Sequence, residues 1–196
     1  MKKILILQGG LNEEHKVSIN TANEVAKVLT KLKIDFIRFT VNPKTFVRDI
    51  SRFSNKHICF NSLHGSFGED GKIQKILKKK GFSFTHSNQN SSINCFNKIK
   101  SKEIIKKYKI LTPSHKLVKI KDIDHKYLEK ISIKFKKFVL KPVSSGSSYG
   151  LKVIKSKKDL SFFCKAIPKF KKNFDYNEDF LIEKYISGKE LTVSVL

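Results

Sequence analysis

The sequence predicts an α/β fold in two parts, a small open sheet with helices followed by an α+β region. The apolar run Ile4–Leu7 stops at Gly9-Gly10 and is followed by a helical pattern and a second apolar run, which is the order of a βαβ unit. Residues 57–63 form another apolar run that leads into a second glycine-rich turn. The short strands and lysine-rich helices predicted after residue 113 favour an α+β region.

In the first 85 residues the patterns predict four strands and two helices. Apolar residues at helical spacing, such as Ala22, Val25 and Leu29, indicate a helix from Val17 to about Lys33. The strands are expected at 3–8, 34–41, 57–63 and 82–85, and the second helix from about Lys72 to Lys80. Residues 86–92 are polar and are expected to form a linker. We therefore expect a first domain at 1–90.

The remaining residues, 94–196, are expected to form a second domain. It should begin with one very basic helix at 94–109, which a break at Thr112-Pro113 follows. Strands are expected at 114–119, 137–142, 151–155, 179–186 and 190–196, with a helix at 157–171. The chain stops inside an apolar run at Leu196, whereas natural termini usually trail off in polar residues, so we expect a truncated product.

The formal net charge of +24 is the most pronounced feature of the composition. It suits a nucleic-acid-binding protein, which we keep as an alternative, although no nucleic-acid partner is expected. However, only three of the 41 basic residues are arginines, and base and phosphate readers favour the bidentate arginine fork. The lysines are also spread along the whole chain, as biased codon usage would produce. A positive surface equally suits a small anionic ligand.

Other compositional features narrow the class of protein. There is no run of 18 apolar residues, so no membrane-spanning segment and no membrane partner are expected. Cys59, Cys95 and Cys164 are widely spaced without a CxxC pair and are predicted to be reduced thiols of a cytoplasmic protein. The histidines show no metal-binding spacing, so no metal ligand is assigned in this chain.

The first motif is GGLNEEHKVS at 9–18, a glycine turn between a strand and a helix. Ligands of open α/β folds bind at this edge of the sheet, where helix N-termini favour anions. Glu14 is a candidate to bind the ammonium group of a ligand. The alternative is that Glu14 is an ordinary acidic residue favoured by the helix dipole.

The second motif is HGSFGEDG at 64–71, which follows a predicted strand. Three glycines within the motif imply a close approach of the backbone to another group. His64 should lie at the end of the strand and face a cleft. The alternative is a flexible turn whose acidic residues cap the next helix.

The third motif is KPVSSGSSYG at 141–150, between two apolar strands. It is not a Walker A loop, but a glycine- and serine-rich loop of this length can close over phosphates. Lys141 would supply a point charge to a phosphate. The alternative is a plain hairpin loop.

The fourth motif, residues 180–191, is an apolar strand that runs into a Glu-Lys-aromatic segment. Such a segment can present backbone groups to an adenine edge, and Glu190 would reach ribose hydroxyls. The alternative is an ordinary exposed hairpin.

Taken together and in this order, the motifs resemble those of the D-alanine–D-alanine ligases of the ATP-grasp superfamily. The resemblance rests on GGLNEEHKVS at 9–18, NSLHGSFGEDGKIQ at 61–74, NKIKSK at 97–102, KPVSSGSSYG at 141–150 and EKYISGKELTVSVL at 183–196. Three positions depart from the family pattern, with Asn12 for serine, Asn97 for aspartate and Tyr149 for a small apolar residue. The implied fold is a Rossmann-like pre-ATP-grasp sheet and the first α+β subdomain of an ATP-grasp fold, with the C-terminal subdomain missing.

The resemblance implies a role for each matching residue. Glu14 would bind the amino group of the first D-alanine, His64 would lie near its carboxylate, and Ser147 would orient Glu14 as a second catalytic group. The residues implied for ATP are Lys98 and Lys141 at the phosphates, Gly146, Ser148 and Gly150 in the covering loop, Glu183, Lys184 and Ile186 around the adenine, and Glu190 at the ribose.

The implied reaction joins two D-alanines for peptidoglycan synthesis through an acyl phosphate, with ATP and Mg²⁺ or Mn²⁺ as cofactors. Because the metal ligands of the family lie beyond residue 196, we expect this polypeptide alone to be inactive. A homodimer is implied for the complete enzyme. The alternatives are a non-catalytic ATP-grasp remnant, a ligase for another amino acid or D-lactate, and a basic nucleic-acid-binding protein.

Overall fold

The computed structural model describes residues 3–193 and contains one parallel and one antiparallel sheet of four strands each. The predicted mixed α/β class is therefore confirmed. Internal contacts group the residues up to Ser101, together with Ser144–Ser147, into a first unit. Lys102–Val143 and the residues from Ser148 onward form a second unit. The grouping divides the chain later than the expected boundary near residues 90–94.

The first unit is built around a parallel sheet in the order β2-β1-β3-β4. Its elements are β1 Ile4–Gly9, α1 His15–Lys31, β2 Phe36–Val41, α2 Phe46–Asp49, a 3₁₀ turn Ile50–Arg52, β3 Ile58–Asn61, α3 Lys72–Lys79, β4 Ser83–Phe84 and α4 Gln89–Phe96. Leu5, Ile6 and Leu7 of β1 are fully buried, as expected for a central parallel strand that is covered on both faces. Because β1 and β3 are parallel neighbours, the loops that follow them lie at the same edge of the sheet.

The expected linker at 86–92 and the single helix at 94–109 are both wrong. Asn88 accepts a hydrogen bond from the Ser91 amide at 3.0 Å and starts α4, which already covers much of the supposed linker. The chain then leaves the helical conformation at Asn97, with φ −88° and ψ 108°, and a new helix, α5, spans Lys98–Lys107. The Asn97 side chain accepts hydrogen bonds from the amides of Ile99 and Lys100. Two asparagine caps, Asn88 and Asn97, therefore start two separate helices where the sequence predicted a linker and one helix.

The second unit contains an antiparallel sheet in the order β5-β8-β6-β7. Its elements after α5 are β5 His115–Lys119, a 3₁₀ turn Ile120–Asp122, α6 His125–Phe135, β6 Phe138–Pro142, β7 Lys152–Ile154, α7 Lys157–Lys171 and β8 Asp179–Lys184. Side chains alternate along the strands, so Phe138, Leu140, Phe180 and Ile182 share a core with α6 and α7.

The helix α6 was not predicted, although its sequence carries the necessary features. Asp124 accepts a hydrogen bond from the Tyr127 amide, and Leu128, Ile131 and Phe135 are buried at helical spacing. The strand expected at 190–196 is not found at 190–193, and residues 194–196 lie outside the described residues. Between residues 3 and 193, no helix is both long and apolar enough to cross a membrane.

The neighbouring residues Phe162 and Phe163 of α7 offer a matched test of this core. Phe163 is 4% exposed and packs in the core, whereas Phe162 is 76% exposed. We expect Phe163→Ala to lower the free energy of unfolding by about 3–5 kcal/mol and Phe162→Ala to change it by less than about 0.5 kcal/mol. Urea denaturation measures both values, and equal losses would contradict the placement of α7.

Candidate ligand-binding loops and ion-paired sheet face

The carboxylate of Glu14 is the point at which three loops of the first unit meet. Glu14 immediately precedes α1 and is only 4% exposed. Its Oε1 atom accepts a hydrogen bond from the Ser147 hydroxyl at 2.5 Å. Its Oε2 atom is buried and has no hydrogen-bond partner among the described residues. Loops within 9–18, 61–74 and 144–147 thus meet at this carboxylate.

Two glycines make room for this carboxylate. A Cβ atom at Gly146 would lie 2.6 Å from Oε2 of Glu14, and one at Gly65 would lie closer still. Gly65 also has a φ of +70°, a conformation that side chains disfavour. Gly65 of the second motif and Gly146 of the third are therefore explained by the close approach of Glu14 to the backbone.

Asn12 joins the first loop to the second. Its amide nitrogen donates to the carbonyl oxygens of His64 at 2.8 Å and Ser66 at 3.0 Å, while its Oδ1 accepts from the Glu14 amide. Asn12 was noted in the sequence only as a departure from the family pattern. The structure shows that it orients the segment that carries Glu14.

His64 lies at the rim of the same loops and is partly exposed. Its Nε2 atom is 3.0 Å from the Thr21 hydroxyl on α1, and its Nδ1 atom is 3.8 Å from Oε1 of Glu69. Glu69 also accepts a hydrogen bond from the Gly65 amide at 2.9 Å. The Glu69 carboxylate thus braces the second loop rather than the N-terminus of α3.

The segment 144–147 is held from a second direction by Lys98. The ammonium group of this lysine, at the start of α5, donates to the Ser145 carbonyl oxygen at 2.8 Å. Ser147 has a φ of +43°, which is costly for a residue with a side chain. The hydrogen bond to Glu14 helps to hold Ser147 in that conformation.

The geometry around Glu14 has a chemical consequence. Burying an ionised carboxylate is costly unless both oxygens are paired, and here one oxygen lacks a partner among the described residues. The Ser147 hydroxyl satisfies one oxygen, and the backbone at Gly65 and Gly146 encloses the other. A cationic donor such as an ammonium group is the kind of partner that the second oxygen lacks.

The second unit has its own charged site, on the sheet face opposite the apolar core. Lys141 of β6 is registered with Leu181 of β8, and Val139 is registered with Glu183. Because side chains alternate, Lys141 and Glu183 lie diagonally on one face. Glu183 forms an ion pair with Lys141 and a second one with Lys102 of α5, whose Nζ is 2.6 Å from its Oε1.

These three charges are removed from water to different degrees. The side chains of Glu183 and Lys102 are 8% and 10% exposed, and that of Lys141 is 24% exposed. Lys102 also donates to the Pro113 carbonyl oxygen at 3.3 Å. Burial raises the pKa of Glu183, but the hydrogen bonds and charges of Lys102 and Lys141 outweigh burial, so its pKa is lowered.

The remaining residues predicted for the nucleotide do not join this ion-paired group. Lys184, Ile186 and Glu190 are exposed, and the Lys184 amide donates to the Ser114 carbonyl oxygen. Gly150 has a φ of +70° and lies against Phe174, where a Cβ atom would be 2.7 Å from the ring. Ser148 is exposed with a φ of +59°.

Two residues of these sites were missed by sequence reasoning, Asn12 and Lys102. Lys102 closes the NKIKSK motif, but only Lys98 of that motif was assigned a role. Lys102 lies four residues after Lys98, so both lysines lie on one side of α5. This spacing was the only sign in the sequence that Lys102 belongs to a site. The described residues contain no group of three or more histidine, cysteine, aspartate or glutamate side chains suited to a metal ion.

The lowered pKa of Glu183 makes its contribution to stability depend on pH. A carboxylate with a lowered pKa stabilises the fold above its unfolded-state pKa, about 4.3, and loses this contribution as the pH falls through its folded-state pKa. We expect Glu183→Gln to destabilise the protein by about 3–5 kcal/mol near neutral pH, because the buried Lys102 and the partly buried Lys141 lose their partner.

This difference between wild type and Glu183→Gln should shrink below about pH 4 in thermal unfolding experiments. The exposed Glu24, which pairs with Lys27 on α1, is the control, and Glu24→Gln should change stability by less than about 1 kcal/mol. If the stability difference between wild type and Glu183→Gln stayed constant as the pH falls to about 3, the lowered pKa of Glu183 would be contradicted.

The chain resembles known proteins in both sequence and fold. The family model described as "D-ala D-ala ligase C-terminus" matches residues 100–196. A D-alanine–D-alanine ligase of Pelagibacter ubique is 38% identical over 200 residues, covering 100% of this chain and 61% of that protein. The chain spans about 60% of the length of the curated relatives that it matches.

Solved structures agree with the sequence relatives. The crystal structure of the D-alanine–D-alanine ligase from Bacillus anthracis matches with a TM-score of 0.74 and 31% identity, covering 96% of this chain and 59% of that one. A structure of the ligase from this organism complexed with ATP matches with a TM-score of 0.72 and 29% identity, covering 96% and 60%. On these matches, which run across nearly the whole sequence, the chain belongs to the D-alanine–D-alanine ligase family.

Proposed function

We propose that this chain contributes the amino-acid-binding and nucleotide-binding parts of an ATP-dependent D-alanine–D-alanine ligase that serves peptidoglycan synthesis. The observation that carries the proposal is the buried Glu14 carboxylate, with Ser147 on one oxygen and no partner on the other among the described residues. The ammonium group of a first D-alanine would supply the partner that this carboxylate lacks. His64, at the rim, would lie near the substrate carboxylate.

We infer that the nucleotide phosphates are bound by the ammonium groups of Lys98 and Lys141 and by the Gly146–Gly150 segment. Positive charges and a glycine- and serine-rich segment suit a triphosphate. The ATP complex of the Bacillus anthracis relative supports ATP as the nucleotide. Glu183, Lys184 and Ile186 are proposed to frame the adenine, and Glu190 the ribose. Mg²⁺ or Mn²⁺ would accompany the phosphates and neutralise part of their charge.

The proposed chemistry is the activation of a carboxylate. A carboxylate is a poor electrophile, and its phosphorylation by ATP creates an acyl phosphate that the amine of a second D-alanine displaces. The residues of this chain would position the reactants and offset negative charge, which are the main contributions of proteins to phosphoryl transfer. In this proposal residues 1–90 form the pre-ATP-grasp domain and residues 94–196 form one ATP-grasp subdomain. The homodimer remains a prediction.

Binding of D-alanine tests the role of Glu14. Calorimetric titration should detect binding of D-alanine to the chain, and Glu14→Gln should weaken this binding by at least about tenfold, because an ammonium group loses its counter-ion. The neighbouring Glu13 is exposed, so Glu13→Gln is a matched control that should bind D-alanine as the wild type does. Absent binding, or equal weakening by both substitutions, would overturn the proposal.

Binding of ATP tests the phosphate site separately. We expect Lys98→Ala and Lys141→Ala each to weaken ATP binding by about tenfold or more, because each removes a charge from the phosphates. Lys158 is exposed on α7, and Lys158→Ala removes the same charge from the second unit without touching the proposed site. If Lys158→Ala weakens binding as much, the lysines act through net charge alone and the assignment of Lys98 and Lys141 is wrong.

A further inference from the structure

The ammonium group of Lys141 has two competing partners, the Glu183 carboxylate and the proposed phosphate. In the structure its ammonium group is paired with Glu183, yet the proposed function, on which this inference rests, requires the same group at a phosphate. If Lys141 left a carboxylate with no other partner, a buried charge would remain uncompensated, and this is strongly unfavourable. A second counter-ion removes this difficulty.

Lys102 has the properties of that second counter-ion. Its Nζ lies 2.6 Å from Oε1 of Glu183, whereas Lys141 pairs with Oε2, so the two lysines use different oxygens. Lys102 is less exposed than Lys141 and is also held by the Pro113 carbonyl oxygen. It is thus the more restrained of the two lysines, while Lys141 has the greater access to solvent and ligand.

We propose that Lys102 is a positioning residue that keeps Glu183 compensated when Lys141 turns toward an anionic phosphate group. Lys102 itself does not touch the ligand. It acts through Glu183, and it lowers the cost of transferring the Lys141 charge from carboxylate to phosphate. The ligand class of this step is a polyphosphate, as in a nucleoside triphosphate.

The first test needs no ligand and measures how the two lysines share Glu183. Lys102→Met and Lys141→Met each leave Glu183 with one partner, whereas the double variant leaves it with none. We expect the double variant to lose at least about 5 °C of melting temperature beyond the sum of the single losses. In a Glu183→Gln background this excess should vanish, because no buried carboxylate remains. Losses that add to within about 2 °C would overturn the inference.

The second test measures binding of inorganic triphosphate, a probe that lacks the adenine and ribose. Lys102→Met should weaken triphosphate binding by about tenfold, and Lys102→Arg should stay within about threefold of wild type. Lys106→Met, which removes an exposed lysine of the same helix, is the control. Adding Glu183→Gln to Lys102→Met should restore binding to the level of Glu183→Gln alone. A merely structural role for Lys102 would not be rescued by the removal of that carboxylate.

The two tests separate the possible failures. If the wild-type chain binds neither triphosphate nor ATP, the proposed nucleotide site is wrong, and the transfer of Lys141 to a phosphate falls with it. If triphosphate binds but Lys102→Met binds it as tightly as wild type does, the inference about Lys102 is overturned and the proposed function stands. Non-additive melting together with binding that Glu183→Gln restores would support both.

Discussion

The cost of removing a carboxylate from water governs both sites of this molecule. An ionised carboxylate is tolerated in a protein interior only when hydrogen bonds or opposite charges replace its hydration. Glu183 meets this requirement in full and Glu14 only in part. Glu14 has a hydroxyl on one oxygen and no described partner on the other, whereas Glu183 has an ammonium group on each. The proposed roles follow from this difference, since Glu14 would receive a cation and Glu183 would release one.

Much of the first site is a consequence of parallel strand geometry. Adjacent parallel strands bring their following loops to the same edge of the sheet, so GGLNEEH and HGSFGED are neighbours because β1 pairs with β3. The position of Ser147 over Glu14 does not follow from that rule. It depends on contacts between residues more than a hundred positions apart, which no local pattern reveals.

The features that sequence reasoning missed have different causes. The Asp124 cap and the apolar spacing of α6 are present in the sequence but were not used, whereas the break between α4 and α5 depends on the side chain of a single asparagine. Lys102 is one of 38 lysines, and its burial is seen only in the tertiary structure. Conversely, the helix 157–171 was predicted to the residue, since Ser156 caps it and apolar residues repeat at helical spacing.

The order of strands in the antiparallel sheet has a consequence for synthesis on the ribosome. The strand β8, at 179–184, is the last regular element of the described chain, yet it lies between β5 and β6, which do not pair with each other. As the polypeptide emerges, those two strands and their helices have no completed sheet to join until β8 is released. The parallel sheet, by contrast, has all its strands by residue 84. Nascent chains of intermediate length would therefore carry one finished sheet and one with exposed edges, which are the species that chaperones recognise.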